Sequence, residues 1–440
     1  MKFILKAAAA CATALVGGAT EPEITTGSDT EQRWNWHLQN TDIVQGYPAF
    51  GANYSGPFSL PNGGETRESV SLDLMVGARL WHGAEAHLDG LMWQGFGIGN
   101  TRGIDGFPNG EAFRLGTSIP NVNLARAFIR QTIGLGGDQE NVEDDAYNLA
   151  GKRDISRLTL TVGRFSAKDI FDGNSYANDP RTQFLNWGLM ANQAWDYSAD
   201  ALGYMSGFAA ELNLPDWAFR YGFFQMPRVS NGTALDTRFL QAWGMVSEVE
   251  RRFAINERPG AVRLLAYLNQ ARMGSYQAAL DDPARPADVA ATRGGDRDKY
   301  GFGLNAEQEI VKNIGVFTRL GWSDGRNEGW TFSDVDYTIN GGISVNGAFW
   351  YRPNDVWGTA AVFNGLSGVH QRYFAAGGTG VLIGDGALRY GWEKILETYY
   401  DFEIWKTIHA AVDYQFVTDP GFNQDRGPIS IFAARIHWSY

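Results

Sequence analysis

The 440-residue chain has little of the chemistry on which most enzymes and small disulfide-bonded domains depend. It contains a single cysteine, Cys11, and only six histidines. It has no His-Glu-x-x-His zinc helix and no phosphate-binding P-loop. The sequence therefore predicts that the protein is not an enzyme and has no catalytic site, metal site or bound cofactor. A chain of this length buries enough surface to fold without disulfides.

Long apolar runs and clusters of basic residues are also absent. No apolar run reaches the ~18 residues that a membrane-spanning helix needs, which excludes a helical membrane protein. The formal net charge is −12, and an acidic chain without Lys/Arg-rich runs is a poor partner for nucleic acid. Disorder is excluded as well, because 44% of the residues are hydrophobic. A membrane β-barrel remains possible, since its alternating strands average to a mildly hydrophilic chain.

The first twenty residues have the pattern of a secretory signal peptide. Lys2 and Lys6 precede an apolar stretch that runs from Ala7 to Val16. Small residues follow, as at a cleavage site. We therefore expect residues 1–20 to be removed on export, residues 21–33 to form a short N-terminal segment, and residues 34–440 to fold.

From Trp34 onward the dominant pattern is strict alternation of apolar and polar residues in pieces of about ten, which predicts β-strands rather than helices. Short connections such as His82-Gly83 and Arg352-Pro353-Asn354 alternate with long polar ones along most of the chain. This alternation of short and long connections is typical of a membrane barrel with short periplasmic turns and long external loops. The sequence thus predicts an all-β fold, a single 16-stranded antiparallel transmembrane β-barrel. One acidic, Gly-rich stretch, Leu135–Ser156, is unusually long for the turn position that it occupies.

Aromatic residues mark the expected membrane surfaces. Trp81, Trp217, Trp322 and Trp438 lie at or near predicted strand ends, where aromatic girdles meet lipid headgroups. The last strand closes on Tyr440, as is typical of proteins that the barrel assembly machinery inserts. We therefore expect location in a bacterial outer membrane, in contact with its lipid and lipopolysaccharide.

Residues 165–203 form the longest predicted loop and are too aromatic to extend into water. Because sixteen strands leave an aqueous channel, we expect this third external loop to fold into the barrel and constrict it. A lid over the rim, or a contact with a neighbouring barrel, is the alternative. The loop residues expected at the constriction are Asp179, Arg181, Phe184, Asn186, Trp187, Trp195 and Asp196.

Charged residues of both signs fall on the predicted inner face of the strands. Arg126 and Arg130 are four residues apart, so they lie on one face about 13 Å apart at ~3.3 Å per residue. Arginine donors and carboxylate acceptors can bridge adjacent hydroxyls, and aromatic faces suit the C–H side of a sugar. The pattern therefore favours mono- or small oligosaccharides as the solute. The expected pore-lining residues are Arg79, Glu85, His87, Asp89, Arg126, Arg130, Arg220 and Arg319.

Two long motifs resemble the carbohydrate-selective porins of the OprB type. The first is Ala177–Trp187, followed by Ala194–Tyr197, and the second is Asp419–Pro428 just before the last strand. Between them, Gly384-Asp385-Gly386 and then Glu393, Ile395, Glu397, Tyr399 and Tyr400 fit the same family. Gly421-Phe422 departs from it, because a small residue followed by tyrosine is expected there. The resemblance implies a sixteen-stranded outer-membrane barrel that passes glucose and similar sugars by facilitated diffusion.

Three other functions are weighed against this one. A general, non-selective diffusion porin differs only in how its constriction discriminates, so the sequence separates it poorly. An outer-membrane enzyme would need a site such as Glu85, His87 and Asp89, but residues on alternate positions of one strand fit a hydrogen-bonded wall better. A receptor or adhesin that works through its loops would show no channel activity in planar bilayers.

Overall fold

The computed structural model describes residues 31–440, and within them sixteen strands hydrogen-bond into one closed antiparallel barrel. This confirms the predicted fold class. The barrel strands are β1 (Trp34–Tyr47), β2 (Glu65–Trp81), β3 (Ala84–Gly95), β4 (Thr117–Gly134), β7 (Arg157–Phe165), β8 (Met205–Asn213), β9 (Trp217–Gln225), β10 (Trp243–Ile255), β11 (Arg258–Ala271), β12 (Arg297–Val311), β13 (Ile314–Ser323), β14 (Tyr337–Asn346), β15 (Val356–Gly365), β16 (Glu393–Trp405), β17 (Ile408–Thr418) and β18 (Ile429–Ser439). The expected signal peptide, residues 1–20, lies outside the described residues.

Closure joins the last strand to the first. Strand β18 pairs antiparallel with β1, in a register that sets Ser439 opposite Gln39 and Phe432 opposite Gly46. Every strand thereby has two neighbours, so the backbone N–H and C=O groups of the barrel wall are paired, as a lipid environment requires. No helix in residues 31–440 is long and apolar enough to cross a membrane.

The side-chain alternation follows the predicted faces. On β2, Leu74 and Val76 are exposed on the outer surface while Asp73 and Met75 are buried inside. On β18, Ile436 points outward and Arg435 is buried. The outer surface is therefore apolar and the inner wall polar, which is the division that the period of two requires.

The two ends of the barrel differ in the length of their connections. One end, here called the turn end, carries short connections such as 82–83, 214–216 and 312–313. The other, the loop end, carries eight longer segments. These are L1 (48–64), L2 (96–116), L3 (166–204), L4 (226–242), L5 (272–296), L6 (324–336), L7 (366–392) and L8 (419–428). Three short α-helices lie in these loops: α1 (Trp187–Met190), α2 (Tyr276–Asp281) and α3 (Gly368–Ala375).

Two connections at the turn end are longer than tight turns. The turn expected at Arg352-Pro353-Asn354 begins earlier, because Asn346 accepts a hydrogen bond from the Ala348 N–H (2.9 Å) and caps a 3-10 turn at Gly347–Trp350. The stretch 135–156 is not a simple turn. It forms a separate two-stranded hairpin of β5 (Gln139–Val142) and β6 (Gly151–Asp154).

The hydrophobic core lies inside the barrel and is built mainly by loops. Its largest cluster joins Phe107 of L2, Trp187 and Trp195 of L3, and Tyr373 of L7 to wall residues such as Phe224. Large aromatic side chains each bury on the order of 150–250 Å². Their packing fills much of the wide cylinder and leaves the remaining space to one side.

Candidate functional site: the passage beside loop L3

Loop L3 enters the barrel through a capped turn. The Ser166 N–H donates to the Asp169 carboxylate (3.0 Å), and the Ser166 hydroxyl accepts from the Lys168 N–H (3.4 Å). This Ser-x-x-Asp arrangement is a capping box, which orients the first turn and its acidic residue. Asp169 is thereby aimed at Arg126 of β4, the strand that pairs with β7.

A buried ion cluster then fixes L3 to the far wall. The Asp172 carboxylate accepts from Arg319 Nε (3.0 Å) and Asn305 Nδ2 (2.7 Å) of the wall, and it lies 3.2 Å from Lys168 Nζ. Arg319 also donates to the Leu189 carbonyl of L3 (2.9 Å). Although burial opposes it, Arg319 and then Lys168 lower the pKa of Asp172, while burial lowers the pKa of Lys168 to about 8. The cluster holds a charged carboxylate inside the barrel.

Two inward glutamates of β16 anchor loop backbones. Glu397 accepts the N–H groups of Leu185 (2.6 Å) and Asn186 (2.9 Å) in L3. Glu393 accepts the N–H groups of Asp105 (3.0 Å) and Gly106 (2.7 Å) in L2, and also that of Gly421 (2.7 Å) in L8. Residues four apart share one face of a strand, so this single strand receives three loops.

The middle of L3 lies against the wall formed by β16–β18. Asn186 caps α1 by accepting from the Gly188 N–H (2.9 Å) and donates to Gln415 Oε1 (3.0 Å) of β17. Arg435 of β18 donates to the carbonyls of Pro180 (2.8 Å) and Gln183 (2.7 Å). These bonds hold L3 to one side of the cylinder.

A row of cavities remains on the opposite side, along β4, β7, β8 and β9. The first, toward the loop end, has a volume of about 370 Å³ and is lined by residues that include Arg126, Asp169, Arg181 and Trp187. A second cavity of about 330 Å³ also contacts Asp169, as does a third of about 250 Å³ that reaches Arg220. Successive cavities share lining residues and form a row from the loop end toward the turn end, which we refer to as the passage.

Charge pairs border the first cavity. Arg126 donates to both carboxylate oxygens of Asp169 (2.8 Å each) and to Asp89 (2.7 Å). Arg181 lies 3.0 Å from Asp73 and 2.9 Å from Glu111. Both arginines are therefore held as planar donor groups at the edge of the first cavity.

The predicted pore residues fall into three groups. Arg126, Arg130 and Arg220 contact the passage, as do Asp179, Arg181 and Trp187 of L3. Arg79 and Glu85 line a fourth cavity of about 150 Å³ near the turn end, which shares Arg130 and Asn148 with the second and third. The rest are buried behind these surfaces: His87, Asp89, Arg319, Phe184, Asn186, Trp195 and Asp196.

The buried group supports the passage rather than lining it. His87 is 3.3 Å from Glu85 and stacks on Phe128 with ring centroids 5.1 Å apart. Phe184 packs against Tyr399 at 4.9 Å. The Asp196 carboxylate accepts from two backbone N–H groups of L6 (2.9 and 2.8 Å), so it ties L3 to L6. Trp195 packs 6.2 Å from the ring of Phe171 within L3.

Sequence reasoning missed several residues that contact the passage. Asp169 could have been found, because Ser166-x-x-Asp169 directly after a strand is a readable capping box. Tyr147, Tyr204, Arg153 and Arg157 carry no such pattern. Within residues 31–440 no group of three or more His, Cys, Asp or Glu side chains is arranged to hold a metal ion.

A second buried cluster, rich in carboxyl groups, joins L2, L6 and L7. Asp105 accepts the Asp334 N–H (3.1 Å), and the Asp336 carboxylate contacts His370 Nδ1 (3.0 Å). Burial, and then the nearby charges of Asp334 and Glu393, raise the pKa of Asp105 well above its usual value. The folded state therefore penalises the ionised form of Asp105 relative to the unfolded chain.

Replacing Asp105 with asparagine should raise the unfolding temperature at pH 7. A group with a raised pKa contributes stability at low pH and loses it as pH rises through the folded pKa. The advantage of Asp105→Asn should accordingly shrink as the pH falls toward about 4, the ordinary carboxyl pKa. Heat-dependent gel migration at several pH values measures this, with the exposed Asp281→Asn as the control. A lower unfolding temperature at pH 7 would show that Asp105 acts as a charged anchor.

Comparison with known proteins gives a consistent result. Residues 58–440 match the family model described as carbohydrate-selective porin, OprB family. Among solved structures, Pseudomonas putida OprB superposes with a TM-score of 0.70 at 18% identity, covering 93% of this chain and 94% of that one. The Salmonella typhi OmpF complex with daunomycin (TM-score 0.49, 9% identity, 93% and 100% covered) and the Acinetobacter baumannii outer-membrane channel DcaP (0.48, 9%, 93% and 98%) are more distant. No curated protein matches the chain.

Proposed function

Because the chain belongs to the OprB family of carbohydrate-selective porins, we propose that it passes glucose and similar small neutral sugars by facilitated diffusion along the passage beside L3. The protein is an outer-membrane sugar channel, and the fold supports a channel rather than an enzyme. The turn end then faces the periplasm and the loop end faces outward. The exposed apolar side chains of the barrel contact lipid.

The observation that carries the proposal is the near-balanced charge of the first cavity. Its wall contains four basic side chains and three acidic ones. A mixed wall neither rejects nor concentrates ions of one sign strongly. Fixed arginine donors beside carboxylate acceptors instead suit the paired hydroxyls of a sugar. The side chains are Arg114, Arg126, Lys168, Arg181, Glu111, Asp169 and Asp179.

Aromatic faces complete this wall. Trp187 and Tyr204 line the same cavity, and Trp187 stacks on Phe107 with centroids 5.1 Å apart and planes at 13°. Such faces offer an apolar surface for the C–H side of a sugar ring. The cavity volume, about 370 Å³, falls in the range of roughly 300–1,000 Å³ that small-molecule sites occupy.

Liposome swelling tests the function and separates it from a general diffusion porin. Proteoliposomes should admit glucose faster than amino acids or short peptides of matched size. The selectivity depends on paired donors and acceptors rather than on the diameter of the solute. The ratio of the glucose rate to the amino-acid or peptide rate should therefore exceed the ratio that size alone gives. Rates that follow size alone would support the non-selective channel instead.

Replacing Arg126 with lysine should weaken sugar block of the ion current. Lysine keeps the charge but loses the planar pair of donors that now meets Asp169. Losing one charge-assisted hydrogen bond should weaken the apparent affinity roughly tenfold. Planar-bilayer recordings with increasing glucose measure the effect. Arg258→Lys is the control, since the Arg258 side chain is over a third exposed at a turn. Its ion pair with Glu309 is long, at 3.6 Å. Equal block by both variants would remove Arg126 from the sugar site.

A further inference from the structure

The tip of the hairpin formed by β5 and β6, residues 143–150, reaches into the barrel from the turn end. Asn35 of β1 donates through Nδ2 to Asp144 Oδ1 (2.7 Å) and to the carbonyls of Asp145 (2.9 Å) and Asn148 (3.0 Å). His37 lies 3.1 Å from the same Asp144 carboxylate. The tip is therefore bonded to the inner wall of the first strand.

The opposite side of the tip is bonded to β4. Arg130 donates to the Tyr147 carbonyl (2.8 Å) and to Asn148 Oδ1 (3.2 Å). At the last residue of the tip, Ala150 exchanges two hydrogen bonds with Gln32, of 3.0 and 2.6 Å. Bonds to two wall strands and to the N-terminal segment hold the tip in one position against the inner wall between β1 and β4.

This placement brings Tyr147 to the centre of the charge network. Its hydroxyl donates to Asp89 (2.8 Å) and accepts from Arg126 Nη1 (2.8 Å). Its ring centroid lies 4.7 Å from the Arg126 guanidinium carbon, on which it forms a cation–π contact. Burial raises the pKa of Tyr147, so the hydroxyl remains a donor at neutral pH. Tyr147 thus orients the arginine that faces the solute.

The same residue lies at the junction of two cavities. Ala146, Tyr147 and Asp169 line both the first cavity and the second one below it. Asp169 comes from L3, which descends from the loop end, and Tyr147 comes from the hairpin, which rises from the turn end. The junction is therefore built by two segments that meet from opposite ends of the barrel.

We propose that the hairpin tip forms the periplasmic half of the constriction and that Tyr147 is a specificity-determining residue for the sugar. The ring supplies an apolar platform at the exit of the first cavity, and the hydroxyl fixes the donor geometry of Arg126. The assignment of a sugar rests on the proposed function, whereas the position of the tip in the conducting path does not.

Two substitutions separate the roles of the ring and the hydroxyl. Tyr147→Phe keeps the ring but removes the hydroxyl that accepts from Arg126 Nη1, which leaves Asp89 and Asp169 alone to hold the guanidinium. Sugar block should therefore weaken roughly threefold to tenfold with little change in conductance. Tyr147→Ala opens the junction, so single-channel conductance should rise and glucose preference in liposome swelling should fall. Tyr351→Ala, at another turn-end connection and 95% exposed, should leave both unchanged. Wild-type conductance and block in both Tyr147 variants would overturn the proposal.

A cysteine scan tests the position of the tip without any sugar. Residues 31–440 contain no cysteine, so a bulky, charged thiol reagent acts only on an introduced one. It should reduce the current of Ala146→Cys and leave that of Asn141→Cys, exposed on β5, unchanged. Unblocked current in Ala146→Cys would exclude the tip from the path. Block of Ala146→Cys in a channel without sugar preference would instead refute the proposed solute and retain the constriction.

Discussion

A channel in which residues 177–195 are replaced by a flexible Gly/Ser linker should conduct several times more current than the wild type and lose its preference for sugars. This part of L3 carries Arg181 and Trp187, which line the first cavity, and α1, which packs on the far wall. A sixteen-stranded cylinder without an internal loop leaves a wide aqueous channel. Water would then replace the loop at Glu397 and Arg319, so the barrel itself should still assemble.

The matched control exchanges the exposed tip of L5, residues 281–286, for a linker of the same kind. That segment lies at the rim and contacts none of the cavities along the passage. Its conductance and swelling rates should equal those of the wild type. If the L3 variant also kept wild-type conductance, while heat-dependent gel migration showed a folded barrel, L3 would not limit the passage.

The barrel could be predicted from the sequence because its two rules are local. A period of two assigns each side chain to a face, and the alternation of short and long connections assigns each turn to an end. Val76 and Asp73, or Ile436 and Arg435, follow directly from these rules. The same logic found Arg126 and Arg130 on one face, and both contact the passage.

Depth inside the barrel could not be predicted in this way. The period of two assigns both Arg319 and Arg126 to the inner face. Loop L3, however, covers Arg319 completely and leaves Arg126 at the cavity edge. Which wall a loop contacts depends on pairings between residues more than a hundred positions apart, such as Asp172 with Arg319. The hairpin tip was missed for the same reason, since its partner Asn35 on β1 lies 109 positions from Asp144.

The family motif on β16 has a structural explanation that spacing alone does not provide. Glu393 and Glu397 accept backbone N–H groups of L2, L3 and L8, and a carboxylate can accept several such bonds at once. The motif therefore records how loops are fastened inside the barrel. Sugar contacts are not required to account for it.

Replacing Arg319 with methionine should lower the free energy of unfolding by about 3–5 kcal/mol, the usual cost of breaking a buried ion pair from one side. Arg319 is fully buried against Asp172, and only Lys168, 3.2 Å away, would remain as a cationic partner. Because L3 loses its main wall contact, single-channel recordings should also show larger current noise. Arg251→Met is the control, since Arg251 forms an exposed pair with Asp216 (2.8 Å), which contributes little.

The pH dependence of this loss identifies Asp172 as its source. Arg319 and Lys168 lower the pKa of Asp172 against the opposing effect of burial, so its stabilising effect is present above the ordinary carboxyl pKa and is lost as pH falls through the lower folded value. The difference in unfolding temperature between wild type and Arg319→Met should therefore be largest at neutral pH and shrink only below about pH 4. Adding Asp172→Asn to Arg319→Met removes the buried carboxylate that Lys168 alone would then compensate, and should recover part of the stability. A double variant less stable than Arg319→Met would show that the two side chains act through separate contacts, and that L3 is held by its other bonds.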